Sequence, residues 1–268
     1  MVKHPSIKAI SFTGSTLAGS KIASIAAPMF KKLSLELGGK NAAIIFEDAN
    51  WDTMLATTIR SSFTNQGQIC LCTSRLLIHS SIYDAFKTAF VNQVKLLTVG
   101  NPLKDTNNQG AIVSKTHYNK IINCIAQAVA DGGTILCGGN GIQLHAENSN
   151  GFFIQPTVIE GLGPTSTTNM EEIFGPVVTL QKFETVQEAL LLANATNYGL
   201  ATTIFTQNIS KANAIAANIQ SGIVWTNCWL ERDLRTPFGG VKNSGMGREG
   251  GWEALRFFTE TKNICIKY

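Results

Sequence analysis

The stretch Leu33-Ser34-Leu35-Glu36-Leu37-Gly38-Gly39-Lys40-Asn41-Ala42-Ala43-Ile44-Ile45-Phe46 decides the fold class. Residues 33–37 and 42–46 each carry the short apolar run of a strand, and the Gly38-Gly39 pair breaks one from the other. Upstream, residues 7–12 read as a strand that ends in Thr13-Gly14-Ser15-Thr16, after which 17–30 take apolar residues at helical spacing. Downstream, 52–63 repeat Leu55, Ile59 and Phe63 at helical spacing. Helical patterns return at 81–97, 115–130, 185–194 and 210–219, and strand-like runs at 134–137, 155–159, 177–183, 201–206 and 223–227. This alternation predicts an α/β protein with a parallel-rich sheet. The glycine-rich segment from Gly138 to Gly151 reads as a polar surface loop, because strand-like sequence resumes directly after it.

Chemistry gathers at the breaks. Glu36 sits at a strand end beside a glycine turn, a place from which side chains of α/β folds project into clefts. Cys70 closes the run Asn65-Gln66-Gly67-Gln68-Ile69-Cys70, where Gly67 loosens the chain and a turn near a helix N-terminus would favour a thiolate. A thiol and a carboxylate together suit acyl chemistry: the first captures a carbonyl carbon, the second activates the water that releases it. Cys72 has equal claim to the nucleophile's role, since an extended segment points both thiols the same way. Other positions hold two readings each. The Gly14-Ser15 turn is a phosphate cradle at a helix N-terminus or an ordinary capped turn. Glu171-Glu172, ahead of Phe174-Gly175-Pro176, is a grip on ribose hydroxyls or a solvated acidic pair. Asn227 and Phe238 lie in a loop fit to line a substrate pocket, and Arg232 in the same loop is a partner for a substrate carboxylate or a solvent-facing cation.

Composition limits the alternatives. The chain has 268 residues, 44% hydrophobic and 15% charged, as a packed globular protein does. Its net charge of +4 is scattered, with Lys31-Lys32 as the densest cluster, so nucleic acid is not an expected partner. No apolar run approaches a membrane span, and the first residues lack the apolar core of a signal peptide. The six cysteines form no CxxC pair and the four histidines no HxxxH pattern, which predicts reduced thiols, a cytoplasmic setting and no metal.

Taken in order, Phe12-Thr13-Gly14-Ser15, Leu35-Glu36-Leu37-Gly38-Gly39-Lys40, Asn65 to Cys70, Glu172-Ile173-Phe174-Gly175-Pro176 and Pro237-Phe238-Gly239-Gly240 resemble the aldehyde dehydrogenase family. The resemblance runs through essentially the whole chain. It implies that Cys70 is the nucleophile, with Cys72 a neighbour, and that Glu36 is the general base. It implies further that Gly14, Ser15 and Leu37 face the cofactor, that Glu172 holds its nicotinamide ribose, and that Phe174 and Phe238 flank cofactor and substrate. Lys40 and Gly38-Gly39 are assigned to structure. The implied reaction is NAD-dependent oxidation of an aldehyde to a carboxylic acid through a Cys70 thioester, with NADP not told apart from NAD. The Val224-Trp225-Thr226-Asn227-Cys228-Trp229-Leu230 segment looks most like the branch acting on small semialdehydes such as 2-aminomuconic semialdehyde.

The resemblance also sets expectations for organisation. Family members are about twice this long, so the sequence reads as starting partway through a Rossmann-like cofactor domain. Residues 1–38 would be a remnant of that domain, 39–237 the catalytic domain, 238–257 a return to the cofactor domain, and 258–268 an oligomerisation strand of a homo-oligomer. The lysine that grips the adenine ribose and the asparagine that completes the oxyanion hole would lie upstream. Loss of one oxyanion donor costs about a hundredfold in rate. Two alternatives to a working oxidoreductase follow: a non-catalytic product that pairs with full-length subunits, and a cofactor-independent thioester or ester hydrolase built on the same thiol and carboxylate.

Overall fold

The computed structural model describes residues 1–145 and 148–268. In chain order the elements are β1 (Ala9–Thr13), α1 (Thr16–Ala26), β2 (Lys32–Glu36), β3 (Asn41–Ile45), α2 (Trp51–Phe63), β4 (Thr73–His79), α3 (Tyr83–Val94), α4 (Lys115–Ala130), β5 (Thr134–Cys137) and β6 (Gly141–Ile142). They continue with β7 (Phe153–Ile154), β8 (Thr157–Glu160), α5 (Thr167–Met170), β9 (Val177–Phe183), α6 (Val186–Asn194), β10 (Tyr198–Gly199), β11 (Ala201–Phe205), α7 (Ile209–Asn218), β12 (Ile223–Thr226), β13 (Val241–Lys242), β14 (Gly245–Met246) and α8 (Gly251–Phe258). Local chemistry explains the helix starts. Ser15, Asn50, Ser114, Thr185 and Asn208 each accept a backbone N–H of the first turn, so five helices begin where a short polar side chain precedes an apolar pattern.

Seven strands form the main sheet in the order β12-β11-β3-β4-β9-β8-β5, parallel throughout except for β5 at one edge. Helices cover both faces, so central strands are apolar on both sides. In β3, Ala43 and Ile45 pack toward Met54, Phe63, Phe86 and Phe90, while Ala42 and Ile44 pack toward Ala189, Ala193, Ile215 and Ile219. A third cluster seats Ile121, Ile125 and Ala128 of α4 on Ile159 and Val177. A smaller sheet pairs β1 with β2 in parallel and β2 with β14 antiparallel, joining residues from near both ends of the chain. Glu36, the last residue of β2, faces Thr13 on one side and Gly245 on the other. It lies where the small sheet meets the chain entering the large one.

One local expectation is corrected. Part of the glycine-rich segment is a short ladder, β6 with β7, because Ile142 and Phe153 supply apolar partners across the loop; residues 146 and 147 of that segment lie outside the described residues. Residues 259–268, within the stretch given to an oligomerisation strand, hold no regular structure in the single chain and pair with no described strand, and Ile264 and Ile266 are exposed. The preceding residues form helix α8, with Trp252, Leu255 and Phe258 all exposed. No helix among the described residues is long and apolar enough to cross a membrane.

Candidate active site

The turn that carries Cys70 is built by the strained segment before it. After α2, Asn65, Gln66 and Gly67 all take positive φ, at 51°, 57° and 69°. Gly67 does not loosen the chain, as expected from sequence; it allows a close approach, since a Cβ there would strike the Gly175 carbonyl. The run leading to the thiol is thereby packed against the Phe174-Gly175-Pro176 turn. Cys72 N–H then closes a turn onto Ile69 O at 2.9 Å, with Cys70 and Leu71 at its centre. Beneath it lies an apolar cluster that includes Leu71, Cys72, Trp225, Trp229 and Phe238.

Cys70 lies beside Glu36, and each reshapes the other's ionisation. Burial pushes the Glu36 carboxyl up to about 7; the facing Cys70 thiol, as a hydrogen-bond donor, works against that rise, the charges of Glu249 and Glu172 add to it, and Arg232 opposes it. Burial, and then the negative charge of Glu36 and its hydrogen bond, push the Cys70 thiol up to about 12. The expectation of a thiolate favoured by a nearby helix N-terminus is overturned, because Cys70 sits in a turn between α2 and β4 with carboxylates as its charged neighbours. Among the described residues no group other than the Cys70 thiol donates to a Glu36 oxygen, so the carboxylate stays free to accept a proton. Cys72 is also pushed up to about 12, by burial alone, and its Sγ turns to Thr64 O at 3.6 Å. The structure thus separates two thiols that the sequence spacing left equivalent.

A cavity of about 530 Å³ runs from the β1–α1 turn to this pair. Gly14, Ser15 and Leu37 line one part; Glu36 and Cys70 line another, and Glu172 and Phe174 complete the wall. Seven expected site residues are thus brought to one space. The Ser15 hydroxyl is occupied as the helix cap, accepting from Ala18 N–H at 3.3 Å, which leaves the first amides of α1 as anion donors. Glu172 Oε1 accepts from Gly39 N–H at 2.9 Å, so Gly39 belongs to the site and not to structure alone. A Cβ on Gly38 would strike the Glu172 carboxylate, and a glycine is required there if that group is to face the cavity. Burial pushes the Glu172 carboxyl up, with Gly39 N–H, Lys120 and Lys40 opposing. This cradle of a fixed carboxylate, an aromatic ring and a helix N-terminus fits a dinucleotide, with hydroxyl, flat-ring and phosphate partners in that order.

The substrate-side residues divide. Phe238 is buried in the cluster beneath Cys70, and the Arg232 guanidinium lies 4.0 Å above its ring, while the Arg232 charge reaches Glu36. Asn227 is corrected: its Nδ2 donates to Thr206 O at 2.8 Å and its Oδ1 accepts from Thr206 N–H at 3.1 Å, so the amide is consumed in tying the end of β12 to β11. Lys40 is fully buried with no partner for its ammonium among the described residues, and burial, then the Arg75 charge, lower it to about 7.

Sequence reasoning missed four residues. His117 Nε2 donates to Phe174 O at 2.7 Å and Lys120 Nζ to Glu172 O at 3.0 Å, so one face of α4 holds both ends of a turn in which Phe174 has φ 58°. Their three-residue spacing on a helix was the available signal. Asn41 and Trp229 hold the Cys70 turn from below, and the only sequence hint for Asn41 was a polar residue opening an apolar strand.

The model of the aldehyde dehydrogenase family matches residues 1–264. The chain is 47% identical to the 2-aminomuconic semialdehyde dehydrogenase of Homo sapiens and 45% to that of Danio rerio, with all of this chain covered in both. It is 43% identical to the 2-hydroxymuconic semialdehyde dehydrogenase of Pseudomonas putida. The chain spans about half the length of these curated relatives, 55% of each. Among solved structures, the betaine aldehyde dehydrogenase of Staphylococcus aureus in complex with NAD+ superposes with a TM-score of 0.91 at 38% identity, over 95% of this chain and 50% of that one. The indole-3-acetaldehyde dehydrogenase of P. syringae, in complex with NAD+ and IAA, gives 0.95 at 34% identity, over 100% of this chain and 54% of that one. Ordered motifs, the large parallel sheet and the thiol–carboxylate pair at one end of a dinucleotide-sized cavity therefore have one explanation: the chain belongs to the aldehyde dehydrogenase family.

Proposed function

We propose that this chain carries the nucleophile and deacylating base of an NAD-dependent oxidation of a small, carboxylate-bearing semialdehyde such as 2-aminomuconic semialdehyde. The observation that carries the reading is the pairing of Cys70 with a Glu36 whose pKa is about 7, at the end of the cavity shared with Glu172. A carboxylate near neutrality is matched to taking and returning protons at neutral pH. Residues 1–38 and 238–257 are assigned to the cofactor-binding unit and 39–237 to the catalytic unit, and a cytoplasmic homo-oligomer is the expected setting.

Glu36 takes the Cys70 proton. The transfer removes the negative charge that helps hold the thiol up, so thiolate and neutral carboxyl form as a coupled pair. The Cys70 sulfur then attacks the aldehyde carbon, while Arg232, stacked on Phe238, holds the substrate's carboxylate. Gly14, Ser15, Leu37, Glu172 and Phe174 would hold NAD, which when bound supplies the two-electron acceptor for the resulting adduct. Glu36, having returned its proton to solvent, next accepts one from water. The hydroxide adds to the Cys70 thioester, the carbon–sulfur bond breaks to release the carboxylic acid, and Glu36 passes the proton taken from water to the departing Cys70 sulfur, restoring thiol and carboxylate. The amide N–H of Cys70 donates to no acceptor among the described residues and is available to the developing oxyanion.

The test is NADH formation from a carboxylate-bearing semialdehyde. Cys70→Ala should abolish it, and Glu36→Gln should leave an acyl adduct on Cys70 that intact-mass measurement detects. NADH formation that survives Cys70→Ala would end the reading. Hydrolysis of an activated ester without NAD is the second reading, favoured because Cys70 and Glu36 both lie in this chain; turnover indifferent to NAD and lost on Cys70→Ser would select it.

A further inference from the structure

Three successive carbonyls of the nucleophile turn are each held by a buried side chain. Asn41, only 4% exposed, donates Nδ2 to Cys70 O at 2.7 Å and to Cys72 O at 2.9 Å, while its Oδ1 accepts from Ala201 N–H at 3.0 Å. Trp229 donates Nε1 to Leu71 O at 3.0 Å. Arg60 steadies Trp229 in turn, with Nη2 donating to Trp229 O at 2.8 Å and the guanidinium 5.5 Å from its ring centre. Neither Asn41 nor Trp229 lines the cavity at Cys70, so neither is placed to touch substrate or cofactor.

We propose that Asn41, with Trp229 as a second arm, is the positioning residue for Cys70. The inference rests on the reading of Cys70 as nucleophile. Its physical content comes from peptide planarity: C=O and N–H of one peptide point in opposite directions. Tying Cys70 O to Asn41 turns Leu71 N–H the other way, and Ile69 O, engaged by Cys72 N–H, does the same for Cys70 N–H. Both amides donate to no acceptor among the described residues, so both remain as donors toward negative charge. The negative ends of the carbonyls at 70, 71 and 72 meanwhile stay engaged with Asn41 and Trp229. Freed of Asn41, the 70–71 peptide could rotate and bring an oxygen toward the thiolate in place of an N–H.

Peptide-mapped alkylation by iodoacetamide reads this on the chain as it stands, with circular dichroism following the fold of each variant. Asn41→Ala removes every bond; Asn41→Asp keeps an acceptor for Ala201 N–H and removes both donors; Trp229→Phe keeps a ring and removes one donor. Alkylation of Cys70 should slow about tenfold or more in both Asn41 variants, and less in Trp229→Phe, as expected when a reacting group loses its fixed orientation. Buried Cys72 should stay as protected as in the parent chain. An unchanged Cys70 rate in Asn41→Ala, or a parental rate in Asn41→Asp, would overturn the proposal. So would a joint rise at Cys70, Cys72 and Cys124, which would make Asn41 a fold-holding residue only; if Asn41 variants do not fold, an unchanged Cys70 rate in Trp229→Phe overturns it. Failure of the underlying reading looks different: NADH formation would persist in Cys70→Ala.

Discussion

Glu36 is the residue at which pH enters. Activity that needs its carboxylate should rise with pH through about 7 and level off above, and Glu36→Gln should remove that limb along with turnover. Stability moves the opposite way. A carboxyl whose value is raised from 4.5 to about 7 on folding binds its proton more tightly when folded, so its contribution is fully present below 4.5 and lost as pH rises toward 7. Glu36→Gln should therefore gain melting temperature over the parent at pH about 8 and not at about 4. Arg232 is stacked on Phe238, and Arg232→Gln should raise KM for a carboxylate-bearing semialdehyde about 10- to 100-fold, the worth of a charge-assisted hydrogen bond, and leave KM for an uncharged aldehyde unchanged. Equal effects on both substrates would remove Arg232 from carboxylate recognition.

Among elements, α4 does work that a pattern of apolar spacing hides. Its inner face packs Ile121 and Ile125 on the sheet, and His117, one turn before Ile121, and Lys120, beside Ile121, hold the two ends of the Glu172–Phe174 turn. A non-glycine residue at φ 58° costs about 1–3 kcal/mol unless its surroundings hold it, and these two donors supply the hold. Lys120→Ala should raise KM for NAD severalfold with a smaller change in kcat, and His117→Ala should do likewise. A fall in kcat with KM unmoved would separate α4 from cofactor binding. Element existence was legible in sequence because caps and periodicity are local: the strands at 134–137 and 177–183 and the helix at 115–130 run as expected. The ladder of β6 with β7, the pairing of β14 with β2 and the helix α8 were not, since each is two to eight residues long and the strands exist only through a distant partner.

At the scale of the molecule, the sheet is the frame on which the site is hung. β3 sits inside it with opposite faces in two separate cores, so Ile44→Ala should cost about 2–5 kcal/mol in a denaturant titration, with the site's geometry lost only as the fold is lost. Asn41 opens that same strand, and through it the turn of Cys70 is registered to β3 and β11 together. By itself the sequence determined the α/β alternation and the family, and it singled out Cys70 and Glu36 as candidates, because these lie in contiguous motifs or in short-range spacing. Only the tertiary structure decided which thiol faces Glu36, that burial and the Glu36 charge push that thiol up, that Gly38 and Gly67 admit the Glu172 carboxylate and the Gly175 turn, that the Asn227 amide is spent on Thr206, and that Asn41, Trp229, His117 and Lys120 support the site. The physical reason is that burial, hydrogen-bond partners and charge neighbours are properties of residues far apart in the chain: the Asn41 to Ala201 bond and the Glu172 to Gly39 bond span 160 and 133 positions, distances over which no local pattern carries information.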